Sequence, residues 1–406
     1  MFNSEPVPTP DHIPESLIGE FPLVMGRFTE ENPFKNIVPE ACDGPEVMFA
    51  TNALPVGLGG AWVFRRQEDM KAIYNDTDHF TNKGFSPFAA SVGESWSLVP
   101  AEQDPPQHTF YRLLLGPLFS PVAVQKMEGD IRQVALDCIA EFKGQTECDF
   151  MNDFASKFPV SVVLNLMGLP EERLREFLEW EALLLQSHDM KDLQEGVRKV
   201  TGYLRGVIAE RKENPGEDLI SFAINAEVNG KKMTDDELLG YAFNFFVGGL
   251  DTVTANLGNF FRHLAENQEH QQALRNDPTK IRTAIEEFLR VFGPVTTVRV
   301  CSKEITIRGV TLKPGDKVWM CTTVGNRDPE VYENPHDVVL DRNPAHVSFA
   351  SGPHHCLGVR LARLEFRIAM EEVLKAIPSF KLKEGETIVS QAGGIIQPRN
   401  LPITWA

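Results

Sequence analysis

The sequence predicts a mainly helical chain with a small β region. Three observations carry this reading. Residues 120–230 hold a succession of helical patterns, roughly 121–142, 151–167, 170–186, 191–213 and 217–228. Thr234-Asp235-Asp236-Glu237 then forms a capping box, in which hydroxyl and carboxylate each satisfy a free backbone N–H. The helical pattern it opens runs to about Glu266. At ~1.5 Å per residue this helix is on the order of 50 Å long, enough to cross a whole domain. Residues 295–324 change to β-type patterning, with Thr296-Thr297-Val298-Arg299-Val300 alternating and glycine turns after it.

Bulk properties bound the function. The 406 residues are 42% hydrophobic and 24% charged, an ordinary globular composition. No Gly/Ser linker or internal repeat interrupts them, so residues 1–406 are expected to form a single domain, irregular over about 1–40. A net charge of −17 argues against non-specific binding to nucleic acid or anionic membrane. Six scattered cysteines without framework spacing fit a reducing compartment. The acidic, proline-rich start is not a signal peptide, and no run of about 18 apolar residues occurs. The expectation is a soluble, cytoplasmic, monomeric protein.

In chain order, β-like pieces around Val47–Ala50 and Trp62–Val63 precede a helix over Gln67–Asn75. Thr81–Gln103 has no clear period, and long irregular segments within compact domains are often functional. Its Phe85, Phe88, Trp96 and Leu98 are candidate apolar contacts. Asp104-Pro105-Pro106 reads as a helix start with Asp as cap, and His108 and Arg112 then share a face suited to an anion. Leu183-Leu184-Leu185 ends a helix in a lid-type turn at Gln186–His188. Mid-way along the longest helix, Gly248 and Gly249 each cost about 1 kcal/mol against alanine. That implies a kink, or a partner lying on the backbone. The period gathers Asn244, Val247, Gly248, Asp251 and Thr252 on adjoining parts of one face. Glu287 and Arg290 share a face of a helix over Thr279–Phe292.

Near the C-terminus, Phe349-Ala350-Ser351-Gly352-Pro353-His354-His355-Cys356-Leu357-Gly358 places a thiol in a glycine-bracketed loop before a helix, Val359–Ala376. A helix N-terminus favours thiolate, a strong metal ligand. Zinc fits poorly, because no C-x-x-C is present. Gly393-Gly394-Ile395-Ile396 reads as a β-turn that dips toward a pocket.

The string F-x-x-G-x-H-x-C-x-G resembles the haem-binding loop of the cytochrome P-450 family. D-P-P-x-H-x-x-x-R at 104–112 is similar to that family's propionate-binding helix, and Gly248-Gly249-Leu250-Asp251-Thr252 resembles its oxygen-activating motif, closest to bacterial camphor hydroxylases. Glu287-x-x-Arg290 with Arg342, and Arg299, match two further family features. The resemblance implies the P-450 fold, with the long helix over the haem, and a haem-dependent monooxygenase. Haem b (iron protoporphyrin IX) would be ligated through iron by Cys356. His108, Arg112, Arg299 and His354 would hold its propionates, with Gly248 and Gly358 against it. Asp251 and Thr252 would deliver protons. Glu287, Arg290 and Arg342 would be structural. Electrons would come from NADH through a reductase and a two-iron, two-sulfur ferredoxin.

The implied pocket is Phe85, Phe88, Trp96, Leu98, Leu185, Asn244, Val247, Ile395 and Ile396. Trp96 stands where camphor hydroxylases carry a tyrosine that bonds the substrate, and Asn244 where they carry an aliphatic residue. The substrate class is a small terpenoid or norisoprenoid, with Asn244 bonding its oxygen. Lys191 is a candidate partner for Asp251. A fatty acid or aromatic substrate, and a non-catalytic haem sensor, remain open alternatives.

Overall fold

The computed structural model describes residues 9–54, 59–187 and 189–406. The element around which the chain packs is the helix Asp235–Glu266. Thr234 caps it: its hydroxyl accepts from Glu237 N, and the Glu237 carboxylate accepts from Thr234 N at 2.7 Å. The same Glu237 accepts from the Tyr111 hydroxyl at 2.7 Å, which ties the cap to the helix Gln107–Leu115. Most of the central helix beyond Leu250 is buried. It packs on the helix Lys157–Met167, on Met190–Glu213 and on the hairpin strand Ile395–Pro398.

Two glycines explain how close these approaches are. A Cβ on Gly240 would lie 1.9 Å from Ser97 O, so the loop carrying Trp96 and Leu98 lies directly on the helix backbone. A Cβ on Gly249 would lie 2.5 Å from Val163 Cγ2 on the neighbouring helix. Both positions require glycine for lack of room.

The β region is larger than its central part suggested. Six strands run in the order Ile18–Gly19, Val47–Ala50, Ala61–Phe64, Lys317–Cys321, Thr296–Cys301, Phe80–Thr81. The hairpin Ser390–Gly393/Ile395–Pro398 takes Phe28–Thr29 as a third strand. The N-terminal segment is thus less irregular than its prolines imply. Phe21 and Leu23, each 1% exposed, bury it in the core, and Ile37–Cys42 is helical. Residues 1–8 of that segment lie outside the described residues.

Several long helical patterns prove to be broken. The stretch 121–142 divides into Pro121–Lys126 and Glu128–Ala140, and π-type turns occupy Met151–Ala155 and Ala182–Gln186. Residues 227–232 form a short hairpin beyond the helix Leu219–Asn225. Among the described residues, no helix is long and apolar enough to cross a membrane.

Candidate active site

The helix Val359–Ala376 starts at Gly358, and the loop before it is fixed from two sides. Cys356 N donates to Phe349 O at 3.0 Å. Gly352 has a φ of +71° and sits so close to Tyr74 O that a Cβ would approach it to 2.6 Å. Behind the loop, Glu287 accepts from Arg290 Nε and Nη2, both at 2.8 Å, and from Arg342 Nε at 3.1 Å. Arg290 also donates to the carbonyls of Asn326, Pro335 and Asp337. Asn326 continues the network, bonding Ser348 Oγ and Val347 N. Glu287 and Arg290 are fully buried, so this ion pair is satisfied on nearly every side and holds the loop from beneath.

Between this loop and the central helix lies a cavity of about 330 Å³. One wall is Cys356, Leu357, Gly358 and Leu361; the facing wall is Asn244, Phe245, Gly248 and Gly249. A Cβ on Gly248 would meet no protein atom within 4 Å, so this glycine opens on free space. Phe85, His108, Arg112, Arg299 and His354 complete the ring with Asn82, Ala101, Thr297 and Val298. Nine residues singled out from the sequence thus converge here: Phe85, His108, Arg112, Asn244, Gly248, Arg299, His354, Cys356 and Gly358.

The electrostatics are one-sided. No Asp or Glu is in the lining. The His108 and His354 rings lie 4.0 Å apart, and His108 Nδ1 is buried without a partner. Burial, then the Arg112 charge, lowers His108 to about 4; burial, then His108 and the two arginines, lowers His354 to about 3. Arg299 donates to Val298 O at 2.9 Å and lies over the Tyr74 ring. Neither Arg299 nor Arg112 meets a carboxylate among the described residues. A slot flanked by glycine and ringed by unmatched basic groups fits a flat ligand that carries carboxylates. A haem meets that description, and Cys356 would give its iron a sulfur ligand.

Several residues lie differently from expectation. Burial pushes the Cys356 thiol up, outweighing the Gly358 N–H and the Arg112 and Arg363 charges that favour thiolate. Asp104 is not a helix cap: its carboxylate accepts from Asn82 N at 3.0 Å and from Thr81 Oγ1, and Gln107–Leu115 starts without a side-chain cap. The Trp96 indole N–H is taken by Glu94 at 2.5 Å, and its ring packs on Phe243, so it offers no donor to a substrate.

Phe88 also packs on Phe243, and Leu98, Leu185 and Val247 sit in the same apolar cluster. Ile395 and Ile396 pair within their hairpin, and neither lines the cavity. Thr252 Oγ1 turns back to Gly248 O at 3.2 Å. Asp251 is buried and faces away from the cavity lining, where Gln397 Nε2 donates to it at 2.8 Å. It does not meet Lys191, which is exposed. Its neighbour is Glu181, which the sequence reading missed because the two are far apart in the chain. Gly240 was also missed, although four glycines on one helix are a visible signal.

A family model for Cytochrome P450 matches residues 171–401. The chain is 36% identical over 407 aligned residues to Probable cytochrome P450 127A1 of Sinorhizobium fredii, covering 98% of this chain and 97% of that one. It is 32% identical to Polyketide biosynthesis cytochrome P450 PksS of Bacillus subtilis, covering 88% and 89%. The crystal structure of CYP101C1 superposes with a TM-score of 0.85 at 26% identity, covering 98% and 100%, and that of CYP101J2 with 0.84 at 29%, over the same shares. Fold, loop, ion-pair network and basic slot agree with these likenesses: the chain belongs to the cytochrome P450 family of haem monooxygenases.

Proposed function

We propose that the protein hydroxylates a small terpenoid or norisoprenoid, of camphor-like ketone, cineole or ionone type, with electrons from a two-iron, two-sulfur ferredoxin reduced through NADH. The observation that carries the reading is the cavity itself, with Cys356 on one wall, Asn244 and Gly248 on the other and four basic side chains around it. When bound, haem supplies the activation of dioxygen and the insertion of one oxygen atom into a C–H bond. Cys356 supplies the sulfur, and His108, Arg112, Arg299 and His354 bind the propionates, gaining the acidic partners they lack. Gly248 leaves room beside the helix, and Phe85 excludes water. Asn244 is the polar group that orients the substrate; its amide has no side-chain bond among the described residues, and it lines the cavity. Thr252 and Asp251 hold and pass protons. Six free cysteines support a reducing compartment, and Arg112, between cavity and surface, is the docking cation for the ferredoxin.

The test is a spin-state titration of the purified haem protein, followed by reconstitution with NADH, reductase and ferredoxin. Terpenoids and norisoprenoids should give a low- to high-spin shift and a hydroxylated product. One relative is named for polyketide biosynthesis, so the panel includes a macrolide as well as a fatty acid. A shift with either of these and none with terpenoids would overturn the substrate class.

A further inference from the structure

Two acids from different elements meet where the end of the helix Leu174–Glu181 packs on the central helix. Glu181, the last residue of the helix Leu174–Glu181, is 5% exposed, and Asp251 is 1% exposed. Their carboxyl groups lie close enough to act directly on each other. Gln186 Nε2 donates to both Glu181 oxygens at 2.9 Å, and Gln397 Nε2 donates to Asp251 Oδ1 at 2.8 Å. Asp251 Oδ2 is buried and receives no N–H or O–H from the other described residues, which leaves it open to a proton from Glu181. Two ionised carboxylates side by side in a buried place repel each other, and a single proton held between them removes that cost. The charged group facing both is Arg399, just beyond the strand Ile395–Pro398, and its buried Nη1 has no partner. One arginine balances one negative charge, not two.

We propose that Glu181 is a positioning residue for Asp251: it donates a proton to Asp251 Oδ2, so that the pair carries a single negative charge and titrates as a unit. Burial, then the neighbouring acid, raises Glu181 well above the ordinary carboxyl range. Burial also raises Asp251, while the bonds from Gln397 and Glu181 work the other way, which leaves the proton on Glu181. The groups facing the pair are thus Arg399 and the amides of Gln186 and Gln397. The proton joins the 174–186 segment to the central helix one residue before Thr252. Losing it would set two charges side by side in a buried place. The consequence for turnover rests on Asp251 being a proton-handling acid; the shared proton does not.

The test uses the haem-loaded protein and Glu181→Gln, whose amide can still donate to Asp251. Infrared difference spectra at neutral pH should show one protonated-carboxyl C=O band in the native protein that Glu181→Gln lacks. The separate buried acid Glu365 cancels in the difference. Glu181 is raised when folded, so its contribution to stability is full below the unfolded carboxyl pKa and is lost as pH rises. The Tm of Glu181→Gln relative to native should therefore climb with pH. The pH profile of product formation should move to lower pH, not merely scale. Should Glu181→Gln fail to fold, Asp251→Asn must shift the frequency of the same band. An unchanged band in either variant, or a Tm difference flat with pH, overturns the proposal. These readouts need no turnover, so they can fail while the haem reading stands, and the reverse.

Discussion

The proposed substrate orientation turns on Asn244. It stands one helical turn from Gly248 on the cavity wall, and in the described residues its amide is not bonded within the protein. Removing one hydrogen bond to a bound ligand costs about 1 kcal/mol, or roughly fivefold in Kd. Asn244→Leu is therefore expected to weaken the substrate-induced spin shift by about that factor and to spread oxidation over more carbons, as read by product chromatography. Unchanged affinity and regiochemistry would remove Asn244 from the account. Residue identity was legible in the sequence where the chemistry is local. Cys356, His108 and Arg112 lie in short motifs whose spacing survives folding. Glu181 and Gln397 were not legible, because only tertiary packing brings them to Asp251. Trp96 misled for a related reason: its N–H is taken by Glu94, two residues away, whose own partner is the distant Arg205.

Among the elements, the central helix and the loop behind Cys356 depend on contacts that tolerate little change. Gly240→Ala would drive a Cβ to 1.9 Å from Ser97 O. Overpacking of this kind costs about 1–3 kcal/mol, seen as a lower Tm. Loosening of the 96–99 loop should follow as faster amide exchange there. Glu287→Ala would leave Arg290 buried and uncompensated, at a cost of about 3–5 kcal/mol. Because Arg290 and Asn326 hold the 347–356 loop, that variant should also lose haem on dilution; a variant with native Tm and full haem retention would contradict the role given to the network. The long helix and its cap were readable because capping box and period agree over 32 residues. The π-type turns at 151–155 and 182–186 were not, since an extra residue in a helical turn leaves the apolar pattern nearly intact.

For the whole molecule, pH enters through acids held away from water. Burial raises Glu365, on the helix after Cys356, from 4.5 to about 8. A carboxyl raised on folding stabilises fully below its unfolded pKa, and that contribution is lost as pH rises through the folded value. Stability should thus decline between about pH 4.5 and 8, and Glu365→Gln should flatten that limb in a Tm-against-pH series. The opposite sign applies to Glu286. Burial alone would raise it, but bonds from His346 and Arg363 outweigh burial and bring it to about 2, so its contribution is lost only as pH falls. At this scale the sequence conveyed the mainly helical architecture. It understated the sheet, whose outer strands are two residues long and carry no alternation to read. The account rests on sulfur at position 356 binding haem iron. The direct measurement is the absorption spectrum of the dithionite-reduced protein under carbon monoxide, native against Cys356→Ser: the native protein should show the thiolate-shifted Soret band and the variant should lack it, whereas an identical shifted band in both would contradict the assignment.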